Sequence, residues 1–393
     1  MKWLWNNTTR VGFGQHCVEE HLKDFVKPNS RVLVTFGGGS IDKNGARADV
    51  TKALAELHCE TIWEGGIPPN PEYDRLIEIV KVAKTFKPDL LLAVGGGSIL
   101  DGTKFISLAM NLDESIDPWD IPTKGVRPEK TTPVGAIMTI PATGSEWNNG
   151  AVVSRRSTHE KLGMLVLYPS FSLLDPLYTM TLPIRQLRNG LFDAMTHCMD
   201  QVLTPHVLPM QDNFFYSVMR ELVDISGPIL SKDNSTLEMH ERLIVACSFA
   251  LNYVLALGKE VCWGIHSIGH MLTAKWGIDH ASTLAIISPF LLEEFIKERE
   301  YNLARAAERV FDVYQGTDAE KAKAFIAKLR EWTVKIGQFT KVTDQQGAVV
   351  SPEDVNVVTD MVMKSEGGKP FGYHQTITRE HVHHILERAF NQQ

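Results

Sequence analysis

Four histidines and an aspartate stand at spacings that could seat a divalent metal. Asp193 and His197 are four residues apart, so a helix would carry both on one face. His266 and His270 repeat that spacing, and His280 ends the run Gly277-Ile278-Asp279-His280. Imidazoles with a carboxylate suit zinc or ferrous iron, whereas calcium prefers oxygen ligands. A single histidine in a helix is most often structural. Two i,i+4 pairs and a fifth candidate, with no second metal motif, favour a metal site. His266 and His280 are fourteen residues apart, which is about 21 Å along one straight helix. Sharing an ion therefore requires a chain turn between them, and Gly277 can supply it. Spacing alone does not choose between His266 and His270.

A second chemistry is written in glycine. Gly37-Gly38-Gly39-Ser40 follows the apolar run RVLVTF, and Gly95-Gly96-Gly97-Ser98 follows DLLLAV. A strand that ends in glycine and opens a helix lets backbone N–H groups approach a phosphate at the positive helix terminus. Neither run is a G-x-G-x-x-G fingerprint, and neither ends in Gly-Lys-Ser/Thr. One such run is most often a tight turn, but two of them with a third turn at Thr143-Gly144-Ser145 favour a phosphate cradle. Dinucleotide sites commonly bind the adenosine ribose hydroxyls with an acidic residue. Ser40 stands there instead, and a neutral hydroxyl tolerates a 2′-phosphate. Lys43 would assist and Asp42 would oppose, so the reading tilts to NADP with NAD as the alternative.

The elements that must position these groups divide into two textures. Strands are expected at Arg31–Phe36, Glu60–Glu64, Asp89–Val94 and Pro133–Ile140, with helices from about Arg47 to Leu57 and over Pro71–Thr85. Strands alternating with helices imply a parallel sheet covered on both faces, and the two glycine runs should share one edge of it. After Leu182 long helical patterns take over: Gln186–Leu203, Asn213–Ile225, Glu238–Leu257, Ala281–Arg299, Asn302–Val313 and Ala319–Ile336. The expected architecture is an α/β Rossmann-like dinucleotide-binding domain over residues 1–182 and an all-α metal-binding domain over 183–393.

Composition narrows the class. The 393 residues suffice for two domains, with 44% hydrophobic and 22% charged residues in an ordinary globular mixture. A net charge of −7 argues against nucleic-acid and anionic-membrane partners. No run reaches the about 18 apolar residues of a membrane span. The segment Met1–Gly14 lacks the apolar core of a signal peptide. The five cysteines form no Cys-x-x-Cys pair, so reduced thiols in a cytoplasmic protein are expected.

The order of motifs resembles the iron-dependent (group III) alcohol dehydrogenases, and within them the butanol dehydrogenase and NADPH-dependent aldehyde reductase branch. The matching runs are FGGGSIDKNG (36–45), GGIPPNP (65–71), LLAVGGGSILDGTKFI (91–106), IDPWDI (116–121), TIPATGSEWNNGAVVS (139–154), LLDPLYTMTLP (173–183), GLFDAMTHCMDQ (190–201) and HSIGHMLTAKWGIDHASTLAI (266–286). The resemblance implies a dehydroquinate synthase-like fold with the active site in the cleft between two domains. It implies Asp193, His197, His266 and His280 as ligands of ferrous iron or zinc, with His270 behind them. It places Gly37, Gly38 and Ser40 at the adenosine end of the cofactor, Gly95, Gly96, Gly97, Ser98 and Asp101 around its pyrophosphate, and Asn70 among the cofactor-binding residues. Thr139, Thr143, Asn148, Lys161 and Tyr178 would lie along the nicotinamide half; the segment around Lys161 matches loosely. A homodimer acting on small alcohols and aldehydes such as butanol and butyraldehyde is implied.

Three positions depart from the branch. Asp42 replaces a common basic residue, Trp147 is bulkier than expected, and Tyr253 replaces a typical glycine. If Trp147 and Tyr253 face the cleft, they narrow the substrate pocket, and Cys262, Trp263 and Trp276 could shape its wall. The expected reaction has the metal polarise an aldehyde oxygen while a reduced nicotinamide gives hydride. His270 is the candidate proton relay, His374 a weaker candidate for the pocket rim, and His381, His383 and His384 a surface cluster. A lyase of the dehydroquinate synthase type would need a Lys/Arg cluster for phosphate near the ligands. Only Arg220, Arg242, Lys259 and Lys275 are available. A non-catalytic nucleotide sensor has no supporting motif.

Overall fold

A computed structural model describes residues 2–231 and 234–391 of the chain. The chain divides into two compact units. One comprises Asn6–Pro183 and Thr236–Ser248; the other, among the described residues, comprises Met1–Trp5, Ile184–Ser235 and Phe249–Gln393.

The α/β unit contains strands β1 (Arg10–Phe13), β2 (Arg31–Phe36), β3 (Glu60–Glu64), β4 (Leu90–Gly96), β5 (Val134–Ile140), β6 (Gly150–Arg155), β7 (Glu160–Leu165) and β8 (Phe171–Leu174). Six of them form a sheet in the order β1-β8-β5-β4-β2-β3, parallel at every pairing. Strands β6 and β7 pair as an antiparallel hairpin. Side chains alternate between two cores as the strand period of two requires. Leu33, Leu91 and Ala93 join the cluster beneath helices Tyr73–Phe86 and Gly97–Ala109. Val32, Val34, Leu92 and Val94 join the opposite cluster with helices Cys17–Phe25 and Ala46–Glu56. Each of these buried Leu and Val side chains contributes about 1.5–3 kcal/mol.

Strand β2 pairs with β3 on one side and β4 on the other. The helices that follow β2 and β4 cover opposite faces, so the chain reverses direction between these two strands. Crevices at such reversals, outside the carboxyl ends of the strands, are where α/β sheets bind ligands. Phe36 pairs in register with Val94, so both glycine runs emerge side by side at this edge.

The four strands expected from sequence are present, with ends shifted by two residues at most. Strands β1, β6, β7 and β8 lay outside that reading. The two outermost of these in the parallel sheet, β1 and β8, are four residues long, too short for a periodic signal.

The second unit is helical among its described residues. Its metal-candidate residues come from helices Ile184–Val202, Gly264–Trp276 and His280–Glu294. Gly277 ends the 264–276 helix at φ 66°, a left-handed value that favours glycine. Asp279 follows and accepts a two-pronged pair from Arg185 (2.7 and 2.7 Å) and a bond from Asn189 Nδ2 (3.0 Å). This clamp fastens the turn to the first turns of the 184–202 helix. Two expected helices are shorter: 238–257 closes at Ala250, and 281–299 closes at Glu294.

Candidate active site

The 184–202 helix carries Asp193 and His197 on one face and buries both. The Oδ1 atom of Asp193 is the hub of the cluster. His197 Nε2 lies 3.5 Å from it, His266 Nε2 3.8 Å and His280 Nε2 3.5 Å. Ligand bonds of about 2.0–2.2 Å in a tetrahedron give edges of roughly 3.3–3.6 Å. The His197 and His280 separations match such edges, and the His266 separation is slightly longer. Asp193, His266 and His280 each offer one ligand atom within 4.8 Å of the others. His197 joins through Asp193 and stacks on His266, with ring centroids 4.8 Å apart.

Asp200 sits two turns beyond Asp193 on the same helix. Its Oδ2 lies 2.7 Å from His266 Nδ1, and its carboxylate accepts from the backbone N–H groups of Ile265 and His266 at 3.2 Å each. One buried carboxylate thus caps the start of the 264–276 helix and fixes the His266 ring with Nε2 aimed at the cluster. That Nε2 is buried without a hydrogen-bond partner among the described residues. A metal satisfies such an atom, and an acid behind a ligating histidine is the usual support for one. Asp200 was missed from sequence, although its spacing of seven from Asp193 repeats the same helix face.

The electrostatics ask for positive charge. Burial disfavours a charged His266, but the Asp193 and Asp200 carboxylates outweigh it and raise the imidazole to about 9. Burial holds His197 down at about 4, against the pull of Asp193. Two buried carboxylates with one proton-hungry imidazole and one neutral imidazole make a donor set that a divalent cation fits.

His270 lies one turn past His266, its ring 5.0 Å from His280 and 6.2 Å from His266. Trp263 presents its indole edge-on to His266 (5.3 Å) and His197 (6.3 Å). His374 is exposed and pairs with Glu260 at 2.7 Å. Of the terminal histidines, His384 is exposed, whereas His381 and His383 are half-buried. His381 caps its own helix with Thr378 and leans on Phe295, so that cluster is only partly a surface feature.

In the α/β unit the structure brings several expected cofactor residues together. The Asn70 N–H donates to Ser98 Oγ (3.2 Å), and Lys161 Nζ donates to Asn70 Oδ1 (2.8 Å). A Cβ on Gly97 would lie 2.4 Å from Thr143 Oγ1, and one on Gly96 2.9 Å from Ile140 Cβ. A side chain at either position would collide, so these two glycines allow the loops after β4 and β5 to touch. Gly38 faces open space, with nothing within 4 Å of a Cβ. Thr139 is buried at the end of β5. Gly37, Gly38 and Ser40 line the neighbouring loop after β2.

Asp101 and Asn148 turn inward. Asp101 accepts from Ser145 Oγ (2.6 Å) and the Val152 N–H (2.9 Å). Lys104, wholly buried, donates to Ser145 Oγ, the Asn148 carbonyl and the Gly150 carbonyl at 2.8–2.9 Å. Burial lowers this ammonium to about 8, with Asp101 and Glu146 opposing. The network braces the 143–150 loop against the 97–109 helix. Tyr178 is not with this group. It is buried in the opposite core and donates to Asp49 Oδ2 at 2.7 Å, where it braces the 46–56 helix.

The basic residues available for a phosphorylated substrate are already engaged. Arg220 pairs with Asp224 and Asp312, Arg242 with Glu238, Lys259 with Asp212, and Lys275 with Asp354.

A parallel doubly wound sheet with glycine-lined crevices, and a helical unit with an Asp/His metal cluster, define a metal- and nucleotide-dependent enzyme class. The description "Iron-containing alcohol dehydrogenase" matches residues 8–176, and "Fe-containing alcohol dehydrogenase family, C-terminal" matches residues 189–390. The chain belongs to the iron-containing alcohol dehydrogenase family. It is 40% identical over 340 residues to the NADPH-dependent aldehyde reductase YqhD of Escherichia coli K12, covering 86% of this chain and 87% of that protein. It is 33% identical to the probable NADH-dependent butanol dehydrogenase 1 of Bacillus subtilis, covering 98% of each. The crystal structure of E. coli K-12 YqhD superposes with a TM-score of 0.93 at 36% identity, over 99% of this chain and 98% of that one. No described helix is long and apolar enough to cross a membrane.

Proposed function

We propose that the protein is an NADPH-preferring aldehyde reductase for small primary aldehydes such as butyraldehyde, reversible towards the alcohol. The observation that carries this reading is the convergence of three histidine Nε2 atoms on Asp193 Oδ1. Asp193, His197, His266 and His280 hold the metal, with ferrous iron and zinc both compatible with these donors. Gly37, Gly38 and Ser40 take the adenosine end. Asn70, Gly95, Gly96, Gly97 and Ser98 surround the pyrophosphate, and Thr139, Thr143 and Lys161 continue towards the nicotinamide. Asp101 and Asn148 shape these loops from behind, because their polar atoms are bonded inside the unit, and Tyr178 braces the 46–56 helix instead. Residues 1–182 are the dinucleotide-binding domain of this reading and 183–393 the metal-binding domain, except that Thr236–Ser248 packs with the first.

When bound, the metal supplies a Lewis acid for the carbonyl oxygen and the reduced nicotinamide supplies the hydride. The chain does the rest. Asp200 holds His266 in one orientation. Trp263 covers the flank of His197 and His266, limiting water and bulky substrates. His270 passes a proton towards the alkoxide oxygen. A cytoplasmic homodimer completes the reading; none of the five cysteines is in a disulfide.

The test is anaerobic absorbance at the reduced-nicotinamide band with butyraldehyde, using iron- or zinc-loaded protein and NADPH or NADH in parallel. Metal-dependent oxidation of NADPH faster than NADH is expected, and Asp193→Ala is expected to lose both metal and turnover while staying folded. Turnover by a metal-free Asp193→Ala protein would overturn the assignment.

A further inference from the structure

Arg47 lies beyond every motif discussed above, yet it is fixed at the mouth of the first glycine run. Its guanidinium stacks over Phe36, the last residue of β2, at 4.4 Å, and over Trp63 of β3 at 4.6 Å. Its Nε lies 2.6 Å from Asp42 Oδ1. The other oxygen of that carboxylate is 3.7 Å from where a Gly39 Cβ would be. A cation resting over two aromatic rings is therefore one carboxylate away from the Gly37–Ser40 loop. Lys43, by contrast, is an exposed side chain at the end of the one-turn helix Ser40–Lys43.

We propose that Arg47 recognises the 2′-phosphate that distinguishes NADPH from NADH, and that Asp42 competes for the same guanidinium. The proposal rests on the reading that the loop after β2 holds the adenosine end of the cofactor. The chemistry is that of a planar guanidinium, which binds phosphate oxygens through charge-assisted, two-pronged hydrogen bonds. Stacking on Phe36 and Trp63 pre-orders the side chain, so little rotamer freedom is lost on binding. Asp42 acts in two directions. It tethers Arg47 beside the loop when no phosphate is present, and it repels a phosphate that arrives there. A protein with this pair keeps a usable site for NADH and has only a restrained preference for NADPH.

The experiment is isothermal titration of the metal-loaded full chain with adenosine 2′,5′-bisphosphate and with adenosine 5′-monophosphate, which differ only in the 2′-phosphate. Arg47→Met keeps an apolar stem on the rings and removes the charge. It is expected to weaken the bisphosphate by about tenfold or more while leaving the monophosphate unchanged. Asp42→Asn alters an exposed residue and is expected to strengthen the bisphosphate by about fivefold, again without effect on the monophosphate. Equal weakening of both ligands by Arg47→Met would reduce Arg47 to a structural brace and overturn the proposal. Unchanged bisphosphate affinity in both variants would overturn it as well. If neither ligand binds the wild-type chain, the adenosine assignment of the loop falls, and the proposal falls with it.

Discussion

Two side chains at the metal cluster do different work, and substitution separates them. Asp200 touches His266 rather than the metal position, so Asp200→Asn leaves the ligand set intact but loosens one ring. Metal affinity is expected to fall about 10–100-fold, measured by chelator competition, with the helix content unchanged. His270 stands close to His280 but outside the four. His270→Gln is expected to keep full metal content and cofactor affinity while turnover falls about 100-fold or more. A loss of metal instead would make it a support for the 264–276 helix. Most of this site was legible at the residue level, because i,i+4 spacing survives as a pattern along the chain. The choice of His266 over His270 came from family resemblance. Asp200 and Arg47 were not read, since each acts through a partner that only folding brings near: the 264–276 helix for one, Phe36 and Trp63 for the other.

At the scale of elements, the two glycine runs look alike in sequence but serve different ends. The run after β4 must be glycine for packing, because Gly97 abuts Thr143 and Gly96 abuts Ile140. The run after β2 faces open space at Gly38. Gly97→Ala is expected to cost about 1–3 kcal/mol of stability and to weaken nucleotide binding, followed by chemical denaturation and titration. Gly38→Ala is expected to change stability by less than about 0.5 kcal/mol. Equal destabilisation by both would refute this division. Trp263 makes a further case. It holds a left-handed backbone at φ 61° and meets the His197 and His266 rings edge-on. Trp263→Ala is expected to raise kcat/KM for branched aldehydes relative to butyraldehyde, at unchanged metal content. The buried strands β2, β4 and β5 were readable as continuous apolar runs. The hairpin β6–β7 was not, since it lies outside the main sheet and carries mixed polarity.

For the molecule as a whole, the compact units are not contiguous in the chain. Thr236–Ser248 belongs with Asn6–Pro183. Ile244 joins Met138 and Leu174 in one cluster, Ser248 Oγ donates to the buried Glu146 carboxylate at 2.6 Å, and His240 meets Thr179 Oγ1 at 2.8 Å. A fragment of residues 1–183 would leave Glu146 buried without Ser248 and expose an apolar face. It is expected to unfold at markedly lower denaturant than the α/β unit of the intact chain, by roughly 3 kcal/mol or more. A fragment as stable as the whole would show that the helix segment is dispensable. By itself the sequence determined the fold class of each half and nominated the residues for metal and the loops for phosphate, because those depend on local periodicity and residue chemistry. Only the tertiary structure decided which carboxylate supports which imidazole, which glycines pack against a neighbouring strand or loop, and where residues 236–248 belong. Those outcomes rest on packing between segments far apart in the chain, and no local pattern encodes them.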